Sequence, residues 1–212
     1  MASRSTDSAA GGGALRQLDR SELLGDPFAV ARRLLNRLLV VAGRVARIVE
    51  VEAYWGEHDP ASHAFRGETP RNRVMFGAGG LLYVYRSYGL HWCANVVVGE
   101  PGSAAAVLLR AVEPVEGVEL MQALRPLARR PLDLTNGPGK LCAALDINGE
   151  DGGTDLCAPD SKIRLCADDT DPPTTPGVST RVGISQAMDL PWRFYVDGNP
   201  WVSKGRPARV DP

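Results

Sequence analysis

The chain has 212 residues, of which 44% are hydrophobic and 23% are charged. These values are typical of one soluble globular domain with a sizeable core. The chain contains no run of about 20 apolar residues, so we expect no membrane span.

The formal net charge of −1 is at first sight unfavourable for a protein that binds nucleic acid. The acidic residues are concentrated, however, because segment 146–171 holds eight of them against two basic residues. Outside this segment 22 basic residues face 17 acidic ones, a balance of +5. Phosphate attraction depends on local basic patches rather than on global charge, so a role in nucleic-acid binding stays open.

Targeting and cofactor signals are scarce. The Ser-, Ala- and Gly-rich start lacks the apolar region of a signal peptide, and the four cysteines form no CxxC pair. We therefore expect a bacterial-type cytoplasmic, nucleoid-associated protein, or a nuclear one if the chain is eukaryotic. His58 and His63 could begin a metal site, but no further Cys or His completes it, so we predict neither metal nor cofactor.

The first half of the chain predicts one helix and several strands. Asp26 and Pro27 are typical of a helix start, and the apolar spacing predicts a helix over 28–39. Paired strands are predicted at 38–42 and 44–55, followed by a polar loop over 56–72. Further predicted elements are a hairpin over 81–98, a buried strand over 103–112 that ends at Glu113-Pro114, and an amphipathic helix over 115–128.

The second half predicts a short helix over 140–147 and strands at 162–166, 180–186 and 192–196. We expect much of the acidic, Pro- and Gly-rich region 148–180 to be mobile surface loop. Tails are predicted at 1–18 and 205–212, with one domain between them over 19–204. Strands with helices at the margins predict an α+β domain around a mostly antiparallel sheet.

Two carboxylates are placed unusually within the predicted strand over 44–55. Glu50 and Glu52 fall on one face together with Tyr54, and the two carboxylates are roughly 7 Å apart from the rise of a strand. The apolar residues of the other face are Val49, Val51 and Ala53. The commoner interpretation of such a polar face is exposure to solvent, and the alternative is that it lines a site.

Motifs around and after this strand resemble, in order, those of the alkyladenine (3-methyladenine) DNA glycosylases. The early motifs are VEVEAYWG at 49–56, His63, TPRNRVMF at 69–76 and LYVYRSYGLHWCAN at 82–95. The later motifs are AVLLRAVEPVEG at 106–117, GPGKLCAALDIN at 137–148, RVGIS at 181–185 and RFYVDGNPWVS at 193–203. The resemblance covers about residues 23–203. It implies a monomeric domain with a curved sheet and a protruding β-hairpin that inserts into DNA.

The resemblance also implies the reaction. Members are monofunctional glycosylases that flip an alkylated purine out of double-stranded DNA and hydrolyse its N-glycosidic bond. Glu52 matches the catalytic carboxylate that activates water, and Arg110 and the backbone carbonyl of Val182 match the groups that hold that water. An alternative for Arg110 is an ion pair that merely satisfies a buried glutamate. Neutral lesions such as hypoxanthine and ethenoadenine need a general acid, and the sequence contains no evident candidate.

Further matches concern the flipped base. Tyr54 and Tyr85 match the aromatic residues that sandwich it, and His63 matches the residue at its edge. Asn95 matches the residue that rejects guanine by a clash with its 2-amino group. The alternatives are core aromatics for the tyrosines and a hydrogen bond within the sheet for Asn95.

Other matches concern the DNA duplex. Tyr88, next to Gly89 at a hairpin tip, matches the wedge that fills the gap left by the flipped nucleotide. Other positions match DNA contacts, and their alternative is a solvated loop or helix start: Thr69, Arg71, Met75 and Lys140. The chain departs from commoner patterns at Trp55 and His91, which the resemblance assigns to the rim of the pocket and to the DNA-facing side of the hairpin.

Two rival functions from other classes stay open. A non-catalytic module would bind damaged nucleic acid without releasing a base, and the pair of Glu52 and Arg110 argues against it. A nucleoside hydrolase would act on free nucleosides, and Tyr88 and the basic loop 69–73 argue against it because neither has a role on a small substrate.

Overall fold

The strand that carries the two carboxylates lies at the centre of an antiparallel sheet. The computed structural model describes residues 15–205. Within this range nine strands form the sheet: β1 (Arg16–Gln17), β2 (Leu38–Val41), β3 (Arg44–Trp55), β4 (Leu82–Ser87), β5 (His91–Val98), β6 (Ala105–Glu116), β7 (Ile163–Ala167), β8 (Gly177–Ser179) and β9 (Arg193–Tyr195). Three α-helices accompany them: α1 (Pro27–Leu34), α2 (Val118–Leu124) and α3 (Pro138–Leu145). The predicted α+β class, single domain and antiparallel sheet are confirmed.

The strand order is β1-β7-β2-β3-β6-β5-β4, and all pairings are antiparallel. One edge of β3 is shared between two partners, because β2 pairs with residues 44–47 and β9 pairs with residues 50–52. The other edge pairs with β6 along nearly its whole length. Glu50 and Glu52 are therefore enclosed by strands on both sides.

The ladder between β3 and β6 is irregular beside the carboxylates. Register shifts lie between Ile48 and Glu50 on one side and between Glu50 and Val51 on the other. Neither Val49 nor Arg110 has a Cα partner in this ladder, so each is the extra residue of a bulge. The predicted alternation is wrong at this point, since Ile48 joins the main core with Val51 whereas Val49 does not.

The main core lies on one face of the sheet, where α1 and α3 cover it. Helix α1 contributes Val30, Ala31 and Leu34, and α3 contributes Leu141 and Leu145. Fully burying a valine or leucine side chain contributes roughly 1.5–3 kcal/mol. The opposite face carries only a small apolar cluster, and the rest of that face is open to a cleft.

Helix α1 starts as predicted but ends sooner. The Asp26 side chain accepts a hydrogen bond from the Ala29 amide at 2.9 Å, and Pro27 is the first helical residue. The helix ends at Leu34 rather than at residue 39, since 38–41 pair with β3 and β7 as strand β2. Pairing within the sheet overrides helical spacing here.

Strand β6 and helix α2 also differ from prediction. The strand continues through Pro114 to Glu116, so it does not end at Glu113-Pro114. The missing amide of Pro114 is tolerated because β5 pairs only with residues 105–108 of β6 and leaves this part at an edge. Helix α2 is correspondingly shorter than the predicted 115–128, and starts after Gly117, whose φ is +69°.

The region after α3 contains more regular structure and more buried residues than the predicted surface loop. A 3-10 helix over Gly149–Asp151, the fully buried Leu156 and strand β7 integrate 148–180 into the fold. Residues 180–186 form turns rather than a strand, and strand β8 precedes them. The predicted N-terminal tail extends too far, because Arg16 and Gln17 pair with β7. The predicted tails at 1–14 and 206–212 lie outside the described residues.

No helix between residues 15 and 205 is long and apolar enough to cross a membrane.

Candidate active site

A cleft of about 860 Å³ opens on the sheet face opposite α1 and α3. Six segments that are distant in sequence supply its walls: the end of β3, the loop after it, the β4–β5 hairpin, the middle of β6, the first two residues of α3 and the turns over 180–186. The predicted site residues that line it are Tyr54, His63, Arg71, Met75, Tyr85, Tyr88, Asn95, Arg110 and Val182. Thr69 and Lys140 are not among the residues that line it.

Glu52 lies against this cleft without an exposed surface of its own. Its Oε1 accepts a hydrogen bond from the Val182 amide at 2.7 Å, and its Oε2 accepts one from the Tyr54 hydroxyl at 2.9 Å. Arg110 Nη1 is 3.2 Å from Oε1. The commoner interpretation, a face exposed to solvent, is therefore wrong for both carboxylates, which are fully buried.

The protonation equilibria of Glu52 and Tyr54 are shifted. Burial raises the pKa of Glu52 above its ordinary value, although Arg110 and the hydrogen bonds from Val182 and Tyr54 act in the opposite direction. Burial and the charge of Glu52 raise the pKa of the Tyr54 hydroxyl well above its ordinary value. Tyr54 therefore remains a proton donor to Glu52 at neutral pH.

Glu50 has a denser set of partners. Its Oε1 accepts from Arg110 Nε at 2.8 Å, Arg193 Nε at 2.6 Å and Ser203 Oγ at 2.8 Å, and its Oε2 accepts from the Ser203 amide at 2.6 Å. Burial alone would raise the pKa of Glu50, but the two arginines and the Ser203 amide outweigh it and lower the pKa below its ordinary value. Glu50 thus joins β6, β9 and the segment around Ser203.

Arg110 bridges the two carboxylates. Its Nε contacts Glu50 and its Nη1 contacts Glu52, while its side chain is only 8% exposed. Burial opposes its charge, yet Glu52 and Glu50 more than compensate and raise the pKa of the Arg110 guanidinium. Arg110 is the extra residue of the bulge in β6, and bulges commonly redirect a side chain. The open alternative for Arg110, an ion pair with a buried glutamate, describes its contact with Glu50.

Val182 contacts Glu52 directly, whereas the prediction concerned only a contact of its carbonyl with water. The backbone amide, not the carbonyl, makes the hydrogen bond to the carboxylate. The role of the carbonyl toward water stays a prediction.

The aromatic residues of the cleft form a connected group that includes one unpredicted member, Tyr83. His63 Nδ1 is 2.9 Å from the Tyr83 hydroxyl, and the His63 ring stands edge-on to Tyr85 with 4.5 Å between centroids. Partial burial and the charge of Arg71 lower the pKa of His63, so it is neutral at pH 7. Tyr83 lies two residues before Tyr85 on β4, so the period of a strand places both rings on one face, and this pattern could have indicated Tyr83 from the sequence.

A second unpredicted pair lies behind Tyr54. The Arg181 guanidinium carbon is 4.6 Å from the Tyr54 ring centroid, and Arg181 forms a buried ion pair with Asp59. In the sequence these residues lie in a loop and at the start of RVGIS, and nothing there indicates that they meet.

Asn95 makes the hydrogen bond within the sheet that was one of its two interpretations, and its role toward guanine stays a prediction. It is 4% exposed, its Nδ2 donates to the Tyr83 carbonyl at 3.1 Å, and it also lines the cleft.

The β4–β5 hairpin presents Tyr88 to solvent. Tyr88 is 87% exposed and its neighbour Leu90 is 71% exposed. Tyr88 and Gly89 both have positive φ, +49° and +68°, and the Leu90 amide donates to the Ser87 carbonyl at 2.9 Å. A tyrosine in this backbone region costs on the order of 1 kcal/mol, which is typical of functional positions.

The four predicted DNA contacts differ in accessibility. Thr69 and Arg71 are exposed on the loop before Asn72, and Thr69 donates to Asn72 Oδ1. Lys140 Nζ bonds Asn136 Oδ1 at 2.7 Å while its side chain is 40% exposed. Met75 is only 2% exposed and packs in the small cluster on this face, so it offers little surface for a DNA contact.

The two departures from commoner patterns differ in position, because His91 lines the cleft whereas Trp55 is not among its lining residues. The exposed Trp55 packs on His58 with 4.9 Å between ring centroids, and the exposed His91 lines the cleft beside Gly139. Among residues 15–205 no group of three or more His, Cys, Asp or Glu side chains could hold a metal ion.

Residues 21–200 match the model of the family described as "Methylpurine-DNA glycosylase (MPG)". Several curated relatives carry the name "Putative 3-methyladenine DNA glycosylase". One from Agrobacterium fabrum is 51% identical over 84% of this chain and 88% of its own length. One from Burkholderia orbicola is 48% identical over 84% and 86%, and one from Mycobacterium tuberculosis is 47% identical over 92% and 97%. The chain belongs to the methylpurine-DNA glycosylase family.

Proposed function

We propose that the chain is a monofunctional 3-methyladenine DNA glycosylase of base excision repair, which hydrolyses the N-glycosidic bond of a flipped, alkylated purine with a water activated by Glu52. The observation that carries the proposal is a buried carboxylate with a raised pKa at the wall of a cleft lined by aromatic residues. Family membership and the names of the relatives support the substrate.

The cleft suits an extrahelical nucleotide. Ligand sites commonly measure 300–1,000 Å³, and this cleft of about 860 Å³ lies within that range. A base within a duplex cannot be reached by an enzyme, so the nucleotide has to rotate out of the stack. Tyr54 and Tyr85 supply flat surfaces for the flipped base, and each stacking contact contributes on the order of 1–3 kcal/mol.

The chemical step needs a proton acceptor and stabilisation of the sugar. Water attacks the anomeric carbon, the bond to the base breaks with its electron pair going to the base, and the water's proton passes to Glu52. The Glu52 carboxylate also stabilises the positive charge that develops on the sugar. A raised pKa brings this carboxylate closer to neutral pH, where a general base is most effective. Because Tyr54, Arg110 and Val182 cover Glu52, the water must reach it between these groups.

Lesion preference follows from the proton balance. A 3-methyladenine nucleotide is cationic, and the base leaves as a neutral molecule without a proton from the enzyme. Hypoxanthine and ethenoadenine are neutral in DNA and need a donor, whereas His63 is neutral because its pKa is lowered. We propose that the enzyme removes such neutral lesions more slowly. Asn95 at the cleft wall is proposed to exclude guanine through its 2-amino group.

Duplex DNA is the proposed partner of the exposed hairpin. Tyr88 is 87% exposed, and we propose that it fills the space that a flipped nucleotide leaves. The exposed Arg71 and the partly exposed Lys140 flank this region and supply positive charge for phosphates, which makes binding salt-dependent.

Base release from defined substrates tests this function. We expect the fastest release from a duplex with one 3-methyladenine, slower release from duplexes with hypoxanthine or ethenoadenine, and none from free nucleosides. Equal rates on all lesions would contradict the proton balance. Release from free nucleosides alone would indicate a nucleoside hydrolase, and tight lesion binding without release would indicate a non-catalytic damage-binding module.

A further inference from the structure

Behind the cleft wall lies an ion pair that is completely withdrawn from solvent. Arg181 Nη1 is 2.5 Å from Asp59 Oδ2 and Nη2 is 2.9 Å from Asp59 Oδ1, and both side chains are 0% exposed. Burying two charges costs several kcal/mol per ion, which such a two-point contact only partly offsets. A contribution to the stability of the fold is therefore a poor explanation for this ion pair.

The same guanidinium holds the backbone at the active site. Arg181 Nη1 donates to the Ala53 carbonyl at 3.0 Å, and Ala53 stands between Glu52 and Tyr54 on β3. The next residue after Arg181 is Val182, whose amide is 2.7 Å from Glu52 Oε1. The contact to Ala53 thus fixes the segment whose amide reaches the carboxylate.

The guanidinium also supports the aromatic wall. Its carbon lies 4.6 Å from the centroid of the Tyr54 ring and 4.8 Å from that of Trp192, so it contacts both rings. Arg181 Nε is the one buried side-chain N or O atom within residues 15–205 that lacks a hydrogen-bond partner. An unmade buried hydrogen bond costs roughly 1–3 kcal/mol, so the position against the rings is maintained at the expense of complete hydrogen bonding.

We propose that Arg181, held by Asp59, is a positioning residue that sets both the Tyr54 ring against the flipped base and the Val182 amide against Glu52. The inference rests on the proposed roles of Glu52 and Tyr54. Asp59 belongs to the loop that leads to His63, so the pair joins three walls of the cleft at one point.

The substitution Arg181→Lys tests this role because lysine keeps the charge but loses the planar fork and the stacking surface. The chain provides a matched control in Arg47, which makes two contacts to Asp168, at 3.2 and 2.6 Å, and one to the Asn36 carbonyl at 2.9 Å. Arg47 does not line the cleft. Arg47→Lys therefore removes a similar set of contacts away from the proposed chemistry.

The expected effect includes the pH dependence of base release. The titratable and charged groups around Glu52 are Glu50, Tyr54, Tyr85, Cys93 and Arg110. The Val182 amide lowers the pKa of Glu52, so a displaced amide moves the ascending limb of the rate to higher pH. For Arg181→Lys we expect this shift, release slower by about 10- to 100-fold at neutral pH, and a smaller preference for lesion over undamaged duplex.

Single-turnover release, pH profiles and duplex affinities are measured for wild type, Arg181→Lys, Arg47→Lys and Glu52→Gln. Arg47→Lys is expected to lose thermal stability only. A wild-type pH profile and lesion preference in Arg181→Lys would overturn the inference. If Arg181→Lys does not fold, Asp59→Asn replaces it, with the same shifts expected and an unchanged profile again overturning the inference. Full release by Glu52→Gln would instead refute the proposed catalytic role of Glu52, on which the inference rests.

Discussion

Glu50 and Glu52 are two residues apart on β3, both have no exposed surface, and both contact Arg110. Glu50 accepts four hydrogen bonds, which come from two arginines and from the amide and hydroxyl of Ser203. Glu52 accepts two hydrogen bonds, from the Val182 amide and the Tyr54 hydroxyl. Both of these residues line the cleft, and they separate Glu52 from it. Their pKa values consequently move apart, that of Glu50 downward and that of Glu52 upward.

The difference shows how two carboxylates on one strand can be held in surroundings that shift their pKa values in opposite directions. Charge compensation makes Glu50 a junction between β3, β6 and β9, whereas incomplete compensation leaves Glu52 with a greater affinity for a proton. In many enzymes, the catalytic acid and base are neighbouring titratable groups whose surroundings separate their pKa values. Arg110 contributes to both environments, so the two carboxylates are coupled through it.

Of the changes that test the difference between Glu50 and Glu52, we expect Glu50→Gln to have the largest effect, a loss of stability. The substitution leaves Arg110 and Arg193 with less compensating charge, and breaking a buried pair of this kind costs about 3–5 kcal/mol. We expect a correspondingly lower free energy of unfolding in urea for Glu50→Gln, and no such loss for Glu52→Gln. Equal losses in both variants would show that the two carboxylates share one structural role.

The pH dependence of stability provides a control with a defined sign. The folded-state pKa of Glu50 is lowered, so its stabilising contribution is present above its ordinary pKa of 4.5 and is lost as pH falls through the folded value. The folded-state pKa of Glu52 is raised, so its ionisation costs stability as pH rises from 4.5 through the folded value. Glu52→Gln should remove that cost at neutral pH, and Glu50→Gln should weaken the loss of stability in acid.

A smaller effect is expected from Tyr54→Phe, which keeps the ring and removes one donor to Glu52. For wild type we expect base release from 3-methyladenine duplexes to rise with pH through a midpoint above 4.5 and then to level off, because Glu52 must be ionised. The lost hydrogen bond should raise the pKa of Glu52 further and move this midpoint upward, with release at neutral pH slower by no more than about tenfold. An unchanged midpoint would mean that the hydroxyl does not influence the titrating group.

The sequence was most informative where local patterns decide the structure. Alternation identified β3 and placed Glu52 and Tyr54 on one face, and Asp26 with Pro27 located the start of α1. The sequence did not predict the bulges at Val49 and Arg110, because they depend on the register between β3 and β6, which no local pattern specifies. The burial of both carboxylates was not predicted either, because β9 and the turns over 180–186, which cover them, lie far away along the chain.

The resemblance named residues that the fold brings to one cleft, but it did not indicate their contacts with one another. The role of Glu50 depends on Arg193 and Ser203, which lie 143 and 153 residues away along the chain. Arg181 and Asp59 meet across 122 residues, so the support behind Tyr54 becomes visible only in the folded chain.

The most direct test of the account compares base release and duplex binding by Glu52→Gln with wild type. On a duplex with one 3-methyladenine, the account predicts that single-turnover release falls by about 10²- to 10⁴-fold while affinity for the lesion duplex is retained, because Glu52 supplies the base for the attacking water. Near-normal release by a folded Glu52→Gln, or a loss of release that merely follows a loss of lesion binding, would contradict it.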